Sequence, residues 1–168
     1  YKKNIKKKSK TPVLLITSKD HLLNQMKYFK YKFVINDINK SNFNKINFNN
    51  KKINIIDVKY NFKKLFEKIS FKSNNYLKKS FEIALEIMKK NSGVALINGP
   101  ISKKHFLGNM HLGITEYLAK KTRSKSVMLI YNDKFSVSPI TTHLPIKNVP
   151  GNIKKEKIIN NVKKINNF

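Results

Sequence analysis

A long helical stripe that runs almost directly into a short apolar segment constrains the fold more than any other feature of this chain. Over residues 74–90, Leu77, Phe81, Ala84, Leu85 and Met88 recur at helical spacing, while Lys78, Lys79, Glu82, Glu86 and Lys89 take the other faces. That pattern predicts an amphipathic helix with one buried side. Just beyond it, Gly93-Val94-Ala95-Leu96-Ile97-Asn98 is apolar without alternation and is closed by Gly99-Pro100, as a strand buried on both faces of a parallel sheet would be. A helix that delivers the chain to such a strand is part of a strand-helix-strand unit, which needs helices laid over the sheet. The expected fold class is therefore α/β, with the strand at Val94–Ile97 central and the helix at Asn74–Lys90 packed across the sheet.

The flanking segments extend the alternation. Pro12-Val13-Leu14-Leu15-Ile16-Thr17 reads as a strand, Ser18 with Asp20 starts a helix to about Lys27, and Phe33-Val34-Ile35 and Ile53–Val58 are further strands. Between them, Asp37–Lys52 is rich in Asn, Lys and Ser and reads as a surface loop; Tyr60–Lys72 is an irregular crossover with Phe62, Leu65 and Phe66 buried. Further on, Ile101–Leu107 predicts a short helix, and Thr115 caps a helix to about Thr122. Ser126–Tyr131 and Phe135–Ile140 are joined by Asn132-Asp133-Lys134 as a hairpin, and Asn152–Phe168 is a helix with Ile158, Val162 and Ile165 inward. Residues 1–10 are a basic tail or connection and residues 11–168 part of one α/β domain.

Charge narrows the function classes. A formal net charge of +27 is the usual footprint of a nucleic-acid binder. Yet of 36 basic residues only Arg123 is an arginine, whereas phosphate and base-edge recognition favours the guanidinium fork. Lys, Asn and Ile make up 79 of the 168 residues, the residues of AT-rich codons, so base composition accounts for the lysines better than a polyanion does. No specific nucleic-acid partner is expected, although a Lys-rich polyanion-binding module stays as the rival class, separable by its steep salt dependence. The absence of cysteine removes disulfides, thiolate catalysis and Cys-based metal sites. No apolar run approaches the ~18 residues of a membrane span, and no signal-peptide core follows the basic start, so a cytoplasmic location is expected.

Two stretches carry most of the candidate chemistry. Gly99-Pro100-Ile101-Ser102-Lys103 leaves the expected strand toward the edge of a parallel sheet, where ligands gather. Lys103 at the start of a helix could hold a phosphate together with backbone N–H groups, or simply be a surface lysine. In Thr141-Thr142-His143-Leu144-Pro145, the imidazole sits on a turn stiffened by Pro145 and preceded by two hydroxyls. It suits a borderline divalent metal, with a nearby hydroxyl or carbonyl setting its tautomer, but taken alone it reads first as a surface or satisfied histidine. Glu116 fits the first turn of its helix, and His21 and His105, without partners at metal spacing, read as surface residues. His111 is a less direct candidate near Ile114.

These stretches also follow one another in a known order. Gly99-Pro100-Ile101-Ser102-Lys103, Leu112-Gly113-Ile114-Thr115-Glu116-Tyr117-Leu118-Ala119, Val127-Met128-Leu129-Ile130 and Thr141-Thr142-His143-Leu144-Pro145-Ile146 resemble the 4-hydroxythreonine-4-phosphate dehydrogenase family in order and spacing. The resemblance covers about a third of the chain densely and extends loosely back to about Pro12. It implies a three-layer α/β/α fold of the isocitrate/isopropylmalate-dehydrogenase type, here incomplete at both ends, and a homodimer with active sites at the subunit interface. It further implies oxidation and decarboxylation of 4-phosphohydroxy-L-threonine with NAD or NADP and a divalent metal (Zn, Mg or Co) on the route to pyridoxal 5′-phosphate. His143 corresponds to a metal ligand, Thr115 and Ile114 to a substrate-contacting pair, and Lys103 to the lysine of the Gly-Pro segment. The family reads His where this chain has Ile114, which keeps open a related dehydrogenase acting on a phosphothreonate or phosphoerythronate. The other metal histidines of the family fall outside this chain, so the chain alone is expected to be inactive.

Overall fold

The computed structural model describes residues 12–39, 48, 51–90, 95–108 and 113–167. They fall into two compact units, residues 1–106 and 107–168; the expected basic tail lies outside the described residues.

The first unit is built on a three-stranded parallel sheet in the order β1 (Leu14–Thr17), β3 (Ile53–Asp57), β2 (Ile35–Asp37). Leu14 to Thr17 pair with Asn54 to Asp57, and Ile35 to Asp37 pair with Ile53 to Ile55. β3 is central and its apolar run explains why. Ile53, Ile55 and Ile56 are buried, Ile55 with 0% exposure, as a strand flanked on both edges and covered on both faces requires. Asn54 is the polar exception, buried at the same register level as Asn36, whose Nδ2 donates to Asn54 Oδ1 at 2.9 Å.

Helix α1 (Lys19–Tyr28) follows β1, with Ser18 as N-cap accepting from the His21 N–H at 3.3 Å. Asp57, at the end of β3, takes the Lys19 N–H at 2.8 Å, so the helix start is tied to the sheet edge. Helix α2 (Asn74–Lys90) has the expected bounds. Its buried stripe is turned, however: Phe81, Ile83, Ala84 and Ile87 are buried, Leu77 and Leu85 only half-buried, and Met88 exposed. The apolar arc of this helix is wide enough that periodicity alone does not fix its centre. The sheet selects the branched side, and Ile83 and Ile87 pack with Ile38, Ile56 and Val58, joined by Leu14, Ile16 and Tyr76.

Several expectations change. The strand expected at Gly93–Asn98 is not the centre of the sheet. Gly93 and Val94 lie outside the described residues, Ala95–Asn98 forms no ladder, and Ile97 is 92% exposed. An unalternating apolar run predicts burial only where another strand supplies the ladder, and no described strand does so here. β2 lies two residues beyond the expected Phe33 start, at Ile35, and in the crossover Phe66 is exposed, its ring against Tyr28 and Phe29 rather than in the core. Helix α3 is a single turn, Lys103–Phe106.

The second unit contains α4 (Ile114–Lys121), α5 (Val149–Asn152) and α6 (Lys155–Asn166). The expected hairpin is reduced to one antiparallel bridge, Ile130 with Val137, closed by two hydrogen bonds of 2.8 and 2.9 Å. The long C-terminal helix is broken at Ile153, whose backbone is extended. Of the three apolar residues expected inward on α6, only Ile165 is half-buried; Ile158 and Val162 face solvent, Val162 with 59% exposure. The stripe is present, but the described residues give it no surface to cover it.

Candidate substrate and metal site

On the first unit, the Gly99–Lys103 segment is held in place from behind. The Phe106 N–H donates to Ser102 O at 2.9 Å, and Ser102 Oγ lies 2.8 Å from His105 Nδ1. Asn74, the first residue of α2, donates Nδ2 to His105 O at 2.7 Å. The His105 ring stands edge-on to Phe71 and the Phe106 ring stacks on Phe81. Pro100, Ser102 and His105 line a cavity of about 540 Å³ together with His21, Tyr60 and Asn74.

His21 and His105 are therefore wall residues, not the surface residues expected. His21 Nε2 is 3.0 Å from Leu65 O, and its ring stands against Tyr60 and Phe62. Burial pushes the Tyr60 phenol above its ordinary pKa, with the Glu67 carboxylate adding to the shift. The Ser102–His105 spacing at a helix start was a legible signal for that pair. The contact between Asn74 and His105, 31 positions apart, had none. Lys103 is exposed on a one-turn helix, too short to add much of a dipole to its charge.

On the second unit, Gly113 rather than Thr115 is the N-cap of α4. Gly113 is buried in extended conformation, and Tyr117 N–H donates to Gly113 O at 3.2 Å, so the helix starts two residues earlier than expected. Ile114 and Thr115, both half-buried, occupy the first turn. Glu116, three residues after the cap, takes the position of the acid in a capping box.

His143 is exposed on a bend with φ 55. A left-handed backbone at a residue with a Cβ costs roughly 1–2 kcal/mol; Lys30 and Arg123 adopt it too, at φ 55 and 51, so it does not by itself single out His143. Pro145 follows at φ −55 and accepts from Asn148 N–H at 2.9 Å, so the turn is stiff on its C-terminal side. The expected hydroxyl or carbonyl partner for the imidazole is not found among the described residues. Those residues also contain no group of three or more His, Asp or Glu able to hold a metal; His143 offers one donor, and a complete site needs more. His111 lies outside the described residues. Gly99 and Lys103 belong to the first unit and Ile114, Thr115 and His143 to the second.

A mixed α/β chain with a parallel sheet, a Gly-Pro-x-x-Lys loop, a Gly-x-Thr-Glu helix start and a Thr-Thr-His-x-Pro turn defines a family: residues 8–168 match the one described as pyridoxal phosphate biosynthetic protein PdxA, and the chain belongs to it. Among curated proteins it is similar to the 4-hydroxythreonine-4-phosphate dehydrogenase of Sulfurihydrogenibium sp. (strain YO3AOP1), 38% identical over 117 residues, covering 68% of this chain and 35% of that protein. The enzyme of the same name from Aquifex aeolicus (strain VF5) is 42% identical over 59 residues, 34% of this chain and 18% of that protein. That of Xanthobacter autotrophicus (strain ATCC BAA-1158 / Py2) is 32% identical over 82 residues, 44% of this chain and 23% of that protein. The chain thus spans about a third of the length of the first relative. Among the described residues no helix is long and apolar enough to cross a membrane.

Proposed function

We propose that the protein to which this chain belongs is an NAD(P)-dependent dehydrogenase that oxidises 4-phosphohydroxy-L-threonine on the route to pyridoxal 5′-phosphate. The observation that carries this reading is family membership over residues 8–168, with Gly99-Pro100-x-x-Lys103, Gly113-x-Thr115-Glu116 and Thr142-His143-x-Pro145 in the family's order. A bound nicotinamide would supply the hydride acceptor for the substrate's secondary alcohol, whose hydroxyl proton would pass to a base. The resulting ketone lies β to the carboxylate, which then leaves as CO₂. Thr115 offers a hydroxyl to the substrate, Lys103 an ammonium to its phosphate, and Gly99 lets the loop approach closely.

His143 would be one ligand of a divalent metal (Zn, Mg or Co), the rest coming from residues outside this chain. The bound ion would supply Lewis-acid polarisation of the substrate oxygens. The imidazole and stiff turn of His143 suit that role. This reading is that of a three-layer α/β/α fold of the isocitrate-dehydrogenase type, working as a homodimer in the cytoplasm.

Ile114 supports a second reading. It neither donates nor accepts a hydrogen bond where the family has a histidine, so the enzyme would act on a related phosphorylated hydroxy acid such as 4-phosphoerythronate. One experiment separates them: reduction of NAD and of NADP by the full-length protein with each of the two substrates and a divalent metal. Turnover favouring the amino substrate supports the first reading and turnover favouring the hydroxy acid the second. No turnover with either, under any of these metals, refutes both.

A further inference from the structure

Glu116 carries an oxygen that the fold leaves unsatisfied. Its Oε2 is buried and has no hydrogen-bond partner among the described residues. The carboxylate folds back over Gly113: a Cβ built there would stand 2.7 Å from Oε2 and 3.8 Å from Cδ. With φ −158, Gly113 is in a conformation open to any residue, and the lack of a Cβ there leaves the room in which the flexible Glu116 carboxylate lies. A buried carboxylate oxygen without a donor is unfavourable, and such exceptions in a native fold call for a missing partner. The residues between Gly113 and Glu116 are Ile114 and Thr115, the pair assigned to the substrate. Glu116 is itself half-buried and lies next to the half-buried Thr115 in the first turn of α4.

We infer that Glu116 is a specificity-determining residue whose carboxylate accepts from the ammonium of an amino-acid substrate held at Thr115. This deepens the proposed function and rests on it for the location of the substrate. It also shows how the site can favour an amine over a hydroxyl although Ile114 contributes no polar contact. The ammonium brings both the charge and the donors that Oε2 lacks, whereas a neutral hydroxyl brings one donor and no charge.

The test is calorimetric binding of 4-phosphohydroxy-L-threonine and 4-phosphoerythronate to full-length wild type, Glu116→Gln and Glu116→Ala, with a divalent metal and no NAD so that no turnover occurs, with melting temperature measured on the same samples and turnover measured separately with NAD added. Glu116→Gln keeps the shape and the capping reach of the side chain and removes the charge. The expected result is an affinity for the amino compound about 10-fold or more weaker, an unchanged affinity for the hydroxy acid, and an unchanged melting temperature. Equal affinities for the two compounds in wild type, an effect of Glu116→Gln on both alike, or no binding of either overturns the assignment. A merely structural Glu116 would show itself as Glu116→Gln behaving like wild type and Glu116→Ala losing stability. Selective binding by the wild type without hydride transfer would refute the dehydrogenase reading and leave the Glu116 assignment standing.

Discussion

Replacing Ile55 by alanine tests where the weight of the first unit rests. Ile55 sits in the middle of the central strand, pairs with Leu15 on one side and Asp37 on the other, and has no exposed surface. Removing a buried isoleucine side chain forfeits a transfer term of about 1.5–3 kcal/mol, and the cavity it leaves raises the total to roughly 2–5 kcal/mol. The sheet has little room to collapse, because β1 and β2 hold β3 by backbone ladders, so the upper half of that range is expected. For a domain of this size each kcal/mol shifts the melting temperature by about 2–4 °C, giving a fall of roughly 7–20 °C in Ile55→Ala. The matched control is Ile97→Ala. At 92% exposure its truncation should change stability by no more than about 0.5 kcal/mol. Without tryptophan in the chain, far-ultraviolet circular dichroism of the intact protein is the assay, by heat and by urea. If Ile97→Ala proved as damaging as Ile55→Ala, the run at residues 93–98 would be the core strand and the placement of β3 at the centre would be wrong.

Two other perturbations follow from named contacts. Ile114→His restores a polar group in the first turn of α4; it should tighten binding of 4-phosphohydroxy-L-threonine by a factor of about 10–100 if that compound is the substrate, and an unchanged or raised KM would argue for a different ligand. Ser18→Ala removes the cap that accepts the His21 N–H and should lower stability by about 0.5–2 kcal/mol, read from the urea midpoint at unchanged slope; no shift would mean that Asp57, which takes the Lys19 N–H, caps the helix alone.

Much of the first unit was legible because its signals are local. Ser18 marks the start of α1, Asn74 and Lys90 bound α2, and Ile53–Val58 reads as a strand. What was not legible depended on partners distant in sequence. Whether Ile53–Ile56 or Val94–Ile97 occupied the middle of the sheet depended on which run found ladders on both edges, and both runs look alike in isolation. The face of α2 that is buried was set by the sheet beneath it, not by the spacing of Leu77, Phe81 and Leu85. For α6, amphipathicity correctly predicted helix, while burial of Ile158 and Val162 needed a surface that the described residues do not provide.

The candidate site shows the same division. Motif residues such as Lys103, Thr115 and His143 were identifiable from type and order, and the strained backbone of His143 adds a physical observation that the sequence does not hold. The roles of Asn74 and His21 rest on contacts across tens of residues and had no sequence signal. Gly113 and Glu116 were within reach, since their spacing is that of a capping box, but the crowding of the carboxylate against Gly113 is visible only in three dimensions.

The central claim is that His143 serves a metal-dependent hydride transfer, and it is tested most directly by measuring bound metal and substrate-dependent NAD(P) reduction together in full-length wild type and His143→Ala. Loss of one of about three protein ligands should weaken metal affinity by more than the ~10–100-fold typical of outer-shell substitutions. Metal content and rate should therefore fall together, while the melting temperature of the metal-free protein stays within about 1–2 °C, because an exposed bend residue contributes little to a core. A His143→Ala protein that kept wild-type metal content and turnover would contradict the account.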